Sequence, residues 1–278
     1  MSAAEFSGFI FLSSLLAGLL GALTGLGGGV VIVPVLTLLF HVDIHYAIGA
    51  SLVSVIATSS GAAAAYVREG YSNIRIGMFL EIATTLGALF GAYLTARIST
   101  HAIGIIFGVV LLYSAFASLK KKRMRAAGTK PSRLAELLRL RGSFPNADGN
   151  EEYVAQHVPA GFGLMFSAGT LSGLLGIGSG AVKVLAMDQA MGLPFKVSTT
   201  TSNFMIGVTA AASAGIYLSR GYISPGLAMP VMLGVLAGSL TGAKLLVHSN
   251  VKTLRIVFAL VIVALGIEMI VNSVAGRL

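Results

Sequence analysis

The chain has 278 residues, of which 55% are hydrophobic and only 10% charged, with a mean hydropathy of +0.88. Soluble globular domains carry about 25% charged residues, so the composition excludes an ordinary soluble enzyme or binding module and points to a membrane protein. There is no cysteine, which excludes disulfides, thiolate metal sites and cysteine nucleophiles, and most of the net charge of +9 lies in one polar stretch, residues 120–141.

In chain order, the first apolar stretch is 6–24. It is close to the roughly 20 residues that span a bilayer. Glu5 is the only charge before it, so it lacks the basic flank of a cleaved leader and reads as a retained segment. Gly25-Leu26-Gly27-Gly28-Gly29 follows, then a short apolar piece, 30–40. Eleven helical residues reach only about 16 Å, half a bilayer. Glycine costs a helix about 1 kcal/mol relative to alanine, so this density predicts a helix broken at the motif. Longer stretches follow at 45–67, 76–97 and 101–119.

Residues 120–152 form the one long polar segment. Arg133–Arg139 reads as a short basic amphipathic helix with Ser132 placed to cap it, and Gly142–Asn150 as a loop. Beside a membrane helix, the basic run 120–141 is a candidate contact for anionic lipid, and nucleic acid is not expected as a partner.

Everything then recurs. Apolar stretches at 157–175, 181–191, 196–218, 225–246 and 252–274 repeat the first set, and Gly176-Ile177-Gly178-Ser179-Gly180 repeats the first glycine motif. The offset is 151: Ser51 meets Ser202, Thr58 meets Thr209, Tyr66 meets Tyr217, and Gly87 and Gly91 meet Gly238 and Gly242. The predicted division is a first membrane repeat (1–119), a basic cytoplasmic linker (120–152) and a second membrane repeat (153–278). With the basic linker inside, the loop Arg68–Arg75 falls inside and the loops at Arg97 and Arg220 outside. The predicted fold is therefore an all-α polytopic membrane protein of two inverted repeats. Each holds a glycine-broken, re-entrant helix pair and three transmembrane helices; whether 30–40 and 181–191 cross or re-enter is left open. Paired, interrupted segments of this kind mark the central binding site of secondary transporters.

The candidate substrate-binding residues are Gly27, Gly28, Gly29, Ser51, Gly178, Ser179, Gly180, Lys183, Thr201, Ser202 and Asn203. Helix starts after the glycines offer unpaired N–H groups and a positive dipole end to an anion. Lys183 stands where the first repeat has Ile32, and an ionisable residue inside a membrane segment is a functional candidate by default. Asp188 is expected nearer the surface. Glu81, about one turn into its helix, is expected near the interface and is the candidate carrier of a coupled proton. His41-Val-Asp-Ile-His45 has metal-like spacing, but it falls in an outer turn and no metal is expected. The spacing Gly87-xxx-Gly91 and its counterpart suit helix packing.

These motifs resemble the TauE/SafE family, the toluene-sulfonate uptake permeases, over nearly the whole chain outside 120–152. The carriers are Gly25–Gly29 with Pro34, then Ala50-Ser51, and in the second copy Gly176–Gly180, Lys183, Gly192-Leu-Pro194 and Thr201-Ser202-Asn203-Phe204-Met205. Ser179 departs from the family's middle glycine, and Leu185 stands where a proline is expected. The resemblance implies a plasma-membrane exporter of small sulfur-containing anions such as sulfite, sulfoacetate or other organosulfonates, coupled to protons or the membrane potential; no cofactor is expected. A cation-coupled transporter or channel for another small solute is the alternative. An enzyme is not expected, because no nucleophile–base pair lies at membrane depth. Which anion, the coupling ion and the oligomeric state are not legible.

Overall fold

The computed structural model describes residues 3–24, 28–68, 72–119, 133–146, 149–246 and 251–277. Among them are eleven α-helices and one two-stranded sheet, an all-α membrane-type architecture. The first set comprises α1 (Ala3–Thr24), α2 (Gly29–Pro34), α3 (Ile44–Arg68), α4 (Ile74–Thr95) and α5 (Thr100–Leu119). The second comprises α7 (Val158–Leu175), α8 (Gly180–Leu185), α9 (Phe195–Ser219), α10 (Pro225–Leu246) and α11 (Val251–Val274). From Gly29 to Thr100 each boundary recurs 151 residues later, so that Ile44 matches Phe195 and Thr95 matches Leu246. Helices α4 and α7 in particular are long and apolar enough to cross a membrane.

Packing repeats with the sequence. Helix α1 lies on α10 and its counterpart α7 on α4; α3 lies on α10 and α9 on α4; and the counterparts α3 and α9, and α5 and α11, lie on each other. Exchanging the two sets returns the same arrangement. Helices α3 and α9 run antiparallel. Gly49 at the start of α3 abuts the Tyr222 carbonyl beyond the end of α9, Ser59 in α3 faces Gly207 in α9, and the Asn73 N–H past α3 donates to Thr201 Oγ1 near the start of α9 at 3.0 Å.

Small residues set these distances. A methyl group on Gly87 or Gly91 of α4 would collide with the Phe166 or Thr170 carbonyl of α7, and one on Gly169 or Gly173 of α7 with the Thr84 or Ala88 carbonyl of α4. Gly18 and Gly238 do the same between α1 and α10, against the Val235 and Leu15 carbonyls. Glycine lets the two backbones touch where lipid supplies no hydrophobic drive between helices.

Helices α1 and α2, on either side of the first glycine motif, and α7 and α8, on either side of the second, pack as helical hairpins. At the base of the first, the Phe6 and Phe40 rings meet edge-on at 5.8 Å. At the base of the second, the Gln156 N–H donates to the Met191 carbonyl at 2.8 Å and Gly161 packs on the Met191 side chain. Both short arms widen from α to π turns at the same place: α2 continues as π1 (Val35–Leu39) and α8 as π2 (Ala186–Ala190). Pro34 precedes one and Leu185 the other, so proline does not cause the widening. The turns after them match as well, with positive φ at His41 (51°) and Gly192 (66°). His41 thus shapes a turn, while Asp43 and His45 pair at 2.9 Å and the His45 ring stacks on Tyr222 at 4.9 Å.

Between the two sets, α6 (Arg133–Leu137) is followed by strands β1 (Arg141–Asn146) and β2 (Gly149–Val154), antiparallel with Gly142 opposite Tyr153 and Phe144 opposite Glu151. The short helix falls within the expected Arg133–Arg139. The expected loop over Gly142–Asn150 is instead a β-hairpin, because Phe144, Tyr153 and Ala155 complete a second core with Ile76, Leu80, Met187 and Met191. Burial holds the Tyr153 hydroxyl above the usual phenol range, so it stays protonated, and it accepts a hydrogen bond from Asn73 Nδ2 at 2.9 Å. Ser132 and the basic cluster from Lys120 to Lys130 lie outside the described residues.

Candidate functional site

The two glycine motifs meet through Ser51. Its hydroxyl, fully buried in α3, donates to the Gly176 carbonyl at 2.8 Å. Gly29 packs into the same point: a methyl group there would sit 2.7 Å from Ser51 Oγ and 3.0 Å from the Gly176 oxygen. Gly28 precedes α2, and its carbonyl accepts the Val31 and Ile32 N–H groups, both at 3.1 Å. Gly27 lies outside the described residues.

The second motif carries the sharper backbone. Gly176, Gly178 and Ser179 have φ of 67°, 71° and 45°. The left-handed region costs an L-residue roughly 1–2 kcal/mol, which explains glycine at the first two positions and marks Ser179 as strained. Its side chain does not cap α8, and Ser179 Oγ is buried with no hydrogen-bond partner among the described residues. Ser202 Oγ donates to the Gly180 carbonyl at 3.3 Å, tying this motif to α9.

One turn beyond Ser179, Lys183 is fully buried. Its ammonium donates to Thr209 Oγ1 of α9 at 2.6 Å. That hydroxyl has one proton, which it gives either to Glu81 Oε1 of α4 at 2.7 Å or to the Met205 carbonyl at 2.9 Å. Thr85 Oγ1 donates to the same Glu81 oxygen at 3.1 Å. Lys183 and Glu81 make no direct ion pair within 4.0 Å; the Thr209 hydroxyl stands between them. The other carboxylate oxygen, Glu81 Oε2, is buried and unpartnered among the described residues. Two of the three Lys183 protons are not used by Thr209.

Glu81, expected near the interface, is 5% exposed and belongs to this cluster. Ile76 and Leu80 share a core with the β-hairpin of the linker, so one face of α4 is interior from its first turns, while Ile74, Arg75 and Met78 are exposed. Thr209 was not singled out by its chemistry. Its signal was its place in the repeat, opposite Thr58. The counterparts of Lys183, Thr209 and Glu81 are Ile32, Thr58 and Met232, so the charged cluster occurs at one of two equivalent places.

The remaining candidates lie elsewhere. Thr201 Oγ1 is occupied by the Asn73 N–H, eight residues and about 12 Å along α9 from Thr209. Asn203 is half-buried, as is Asp188 in π2.

A helical bundle in which Gly29 packs on the Gly176 carbonyl and a lysine and a carboxylate lie buried between two related halves fits the class of membrane transporters. The chain belongs to the TauE/SafE sulfite exporter family, whose model matches residues 10–269. It is similar to the probable membrane transporter protein YunE of Bacillus subtilis, 28% identical over 94% of this chain and 96% of that protein. It is also similar to the probable membrane transporter protein YdhB of the same organism, at 29% identity over 84% and 88% of the two chains. A probable membrane transporter of Methanocaldococcus jannaschii is 24% identical over 92% of each. No solved structure matches.

Proposed function

We propose that the protein is a secondary transporter, and not an enzyme, that exports small sulfur-containing anions such as sulfite, sulfoacetate or other organosulfonates across the plasma membrane. The observation that carries this reading is Lys183, an ammonium buried completely on the short arm of the second glycine hairpin. A buried charge needs partners. Thr209 takes one proton, and the unpaired Ser179 hydroxyl lies one turn away on the same arm. An ammonium and a hydroxyl donor, both buried and four residues apart, suit the oxygens of a sulfonate or sulfite. The family to which the chain belongs is described by sulfite export, which agrees with that chemistry.

The access mechanism is two inverted repeats, 1–119 and 153–278, rocking about a site between two re-entrant hairpins, with 120–152 in the cytoplasm. The antiparallel packing of the counterparts α3 and α9 supports the inversion. So does the grouping of loops: Asn73 lies against the linker hairpin, whereas Arg220 donates to the Ala92 carbonyl and stands with Arg97 around the Tyr93 ring.

Thermal unfolding of the purified protein tests the substrate class. Sulfite or methanesulfonate should raise the midpoint of wild type and leave Lys183→Ala unmoved, while Na⁺ has no effect. Glu81 gives the cation-coupled alternative one specific support, since a buried, half-unpaired carboxylate also suits a cation. Stabilisation by Na⁺ alone, lost in Glu81→Gln, would establish that reading instead.

A further inference from the structure

Resting on the anion-transporter reading, we propose that Glu81 fixes the charge of the cargo and narrows the class to monovalent anions, bisulfite and simple sulfonates: one such anion enters beside Lys183 together with one proton, which Glu81 takes up, and a divalent anion, doubly ionised sulfite or sulfoacetate included, is refused.

The argument is a count of buried charge. Lys183 and Glu81 are one cation and one anion, 0% and 5% exposed, joined through a single hydroxyl. Together they are balanced. An arriving anion makes the cluster net negative, and an uncompensated charge in a low-dielectric interior is strongly disfavoured. Protonation of Glu81 restores the balance. The atoms agree with the charges. Ionised Glu81 presents the unpartnered Oε2 as an acceptor that repels an anion; protonated, the same oxygen becomes a donor. It then joins the unused Lys183 protons and the Ser179 hydroxyl in facing an oxyanion. The step is simple: carboxylate plus proton gives carboxyl, and Lys183 exchanges its carboxylate counter-charge for the cargo's. A dianion needs a second proton, and the cluster has one carboxyl.

Among the described residues, the neighbouring elements place no other carboxylate on Thr209. Helix α7, packed on α4, has no titratable side chain. Helix α9 has exposed Lys196 and buried Tyr217, thirteen and eight residues from Thr209, about 20 Å and 12 Å along the helix. The arm α8–π2 has Lys183 itself and Asp188 five residues further on, half-buried and engaged in an interaction of its own. On α4, Arg75 and Tyr93 are exposed. Transport coupled in this way is electroneutral. It ignores voltage and follows the product of the anion and proton gradients, so export requires an outward anion gradient steeper than the inward proton gradient.

The test uses the full-length protein in proteoliposomes with a trapped pH dye. Methanesulfonate is the probe because it stays a monoanion across pH 5–8, and sulfate is the dianion. Wild type should carry methanesulfonate inward with one lumenal proton per anion, faster at lower pH, at a rate unchanged when valinomycin and K⁺ impose a voltage, and should carry sulfate at least tenfold more slowly. Glu81→Gln should carry methanesulfonate without acidification and without pH dependence. Methanesulfonate flux without acidification in wild type, or persistent acidification in Glu81→Gln, overturns the proposal while leaving an anion transporter. Absence of wild-type flux and binding for both anions overturns the transporter reading, and this proposal with it. Should Glu81→Gln fail to reconstitute, calorimetric titration of wild type with methanesulfonate in two buffers of different ionisation heat decides: one proton taken up per anion bound supports the proposal, and none overturns it.

Discussion

At the residue scale, Thr209 links the two buried charges. Its hydroxyl accepts from Lys183 and lies 2.7 Å from Glu81. Thr209→Val keeps the shape and removes both bonds, and a hydrogen bond to a charged group is worth about 1.5–3 kcal/mol. Chemical unfolding in detergent should show a loss of about 2–3 kcal/mol, largely restored in Thr209→Ser; wild-type stability in the valine variant would mean the link is energetically idle. Ser179 pulls in two directions. Its φ of 45° is strained, so Ser179→Gly should stabilise the fold by roughly 1 kcal/mol while weakening methanesulfonate binding in titration calorimetry. A variant that is more stable and binds equally well would remove Ser179 from the site. Lys183 was legible in the sequence because a lysine opposite Ile32 breaks an apolar pattern. Thr209 was not, because threonine in a membrane helix usually bonds its own backbone, as Thr58 does to the Ser54 carbonyl at 3.0 Å. Only the fold brings Glu81, 128 residues away, to it.

At the element scale, hydropathy and glycine spacing located the long helices to within a few residues, since spans near bilayer length leave little freedom. They failed over 141–154. The β-hairpin there depends on a few apolar side chains, Phe144 and Tyr153 among them, reaching a core formed by distant segments, and no local period announces that. The α4–α7 contact shows what glycine spacing does. A methyl on Gly173 meets the Ala88 carbonyl, whereas one on Gly163, in the same helix, meets nothing within 4 Å. Gly173→Ala should therefore cost about 1–3 kcal/mol through overpacking. Gly163→Ala should be neutral or gain up to about 1 kcal/mol from helix propensity. Thermal unfolding of the two variants side by side checks this; equal midpoints would show that α4 and α7 slide apart without cost.

At the scale of the whole molecule, the proposed inversion rests on direction. Helix α4 begins at Asn73, against the linker hairpin, and ends beside Arg97. Its counterpart α10 begins just past Arg220, whose guanidinium binds the end of α4. The two counterparts therefore start at opposite ends of α4, as inverted repeats require. The native chain has no cysteine, so single cysteines report sidedness cleanly. Ser99 and Ser219 are exposed near the Arg97–Arg220 face, and Ser143 is exposed on the linker hairpin. In intact cells a membrane-impermeant maleimide should label Ser99→Cys and Ser219→Cys, and should reach Ser143→Cys only after permeabilisation. Ser99 follows a helix of the first half and Ser219 precedes the counterpart of that helix. Parallel repeats would place the two serines on opposite sides, so labelling of one in intact cells and of the other only after permeabilisation would end the inverted reading, and with it rocking about a central site.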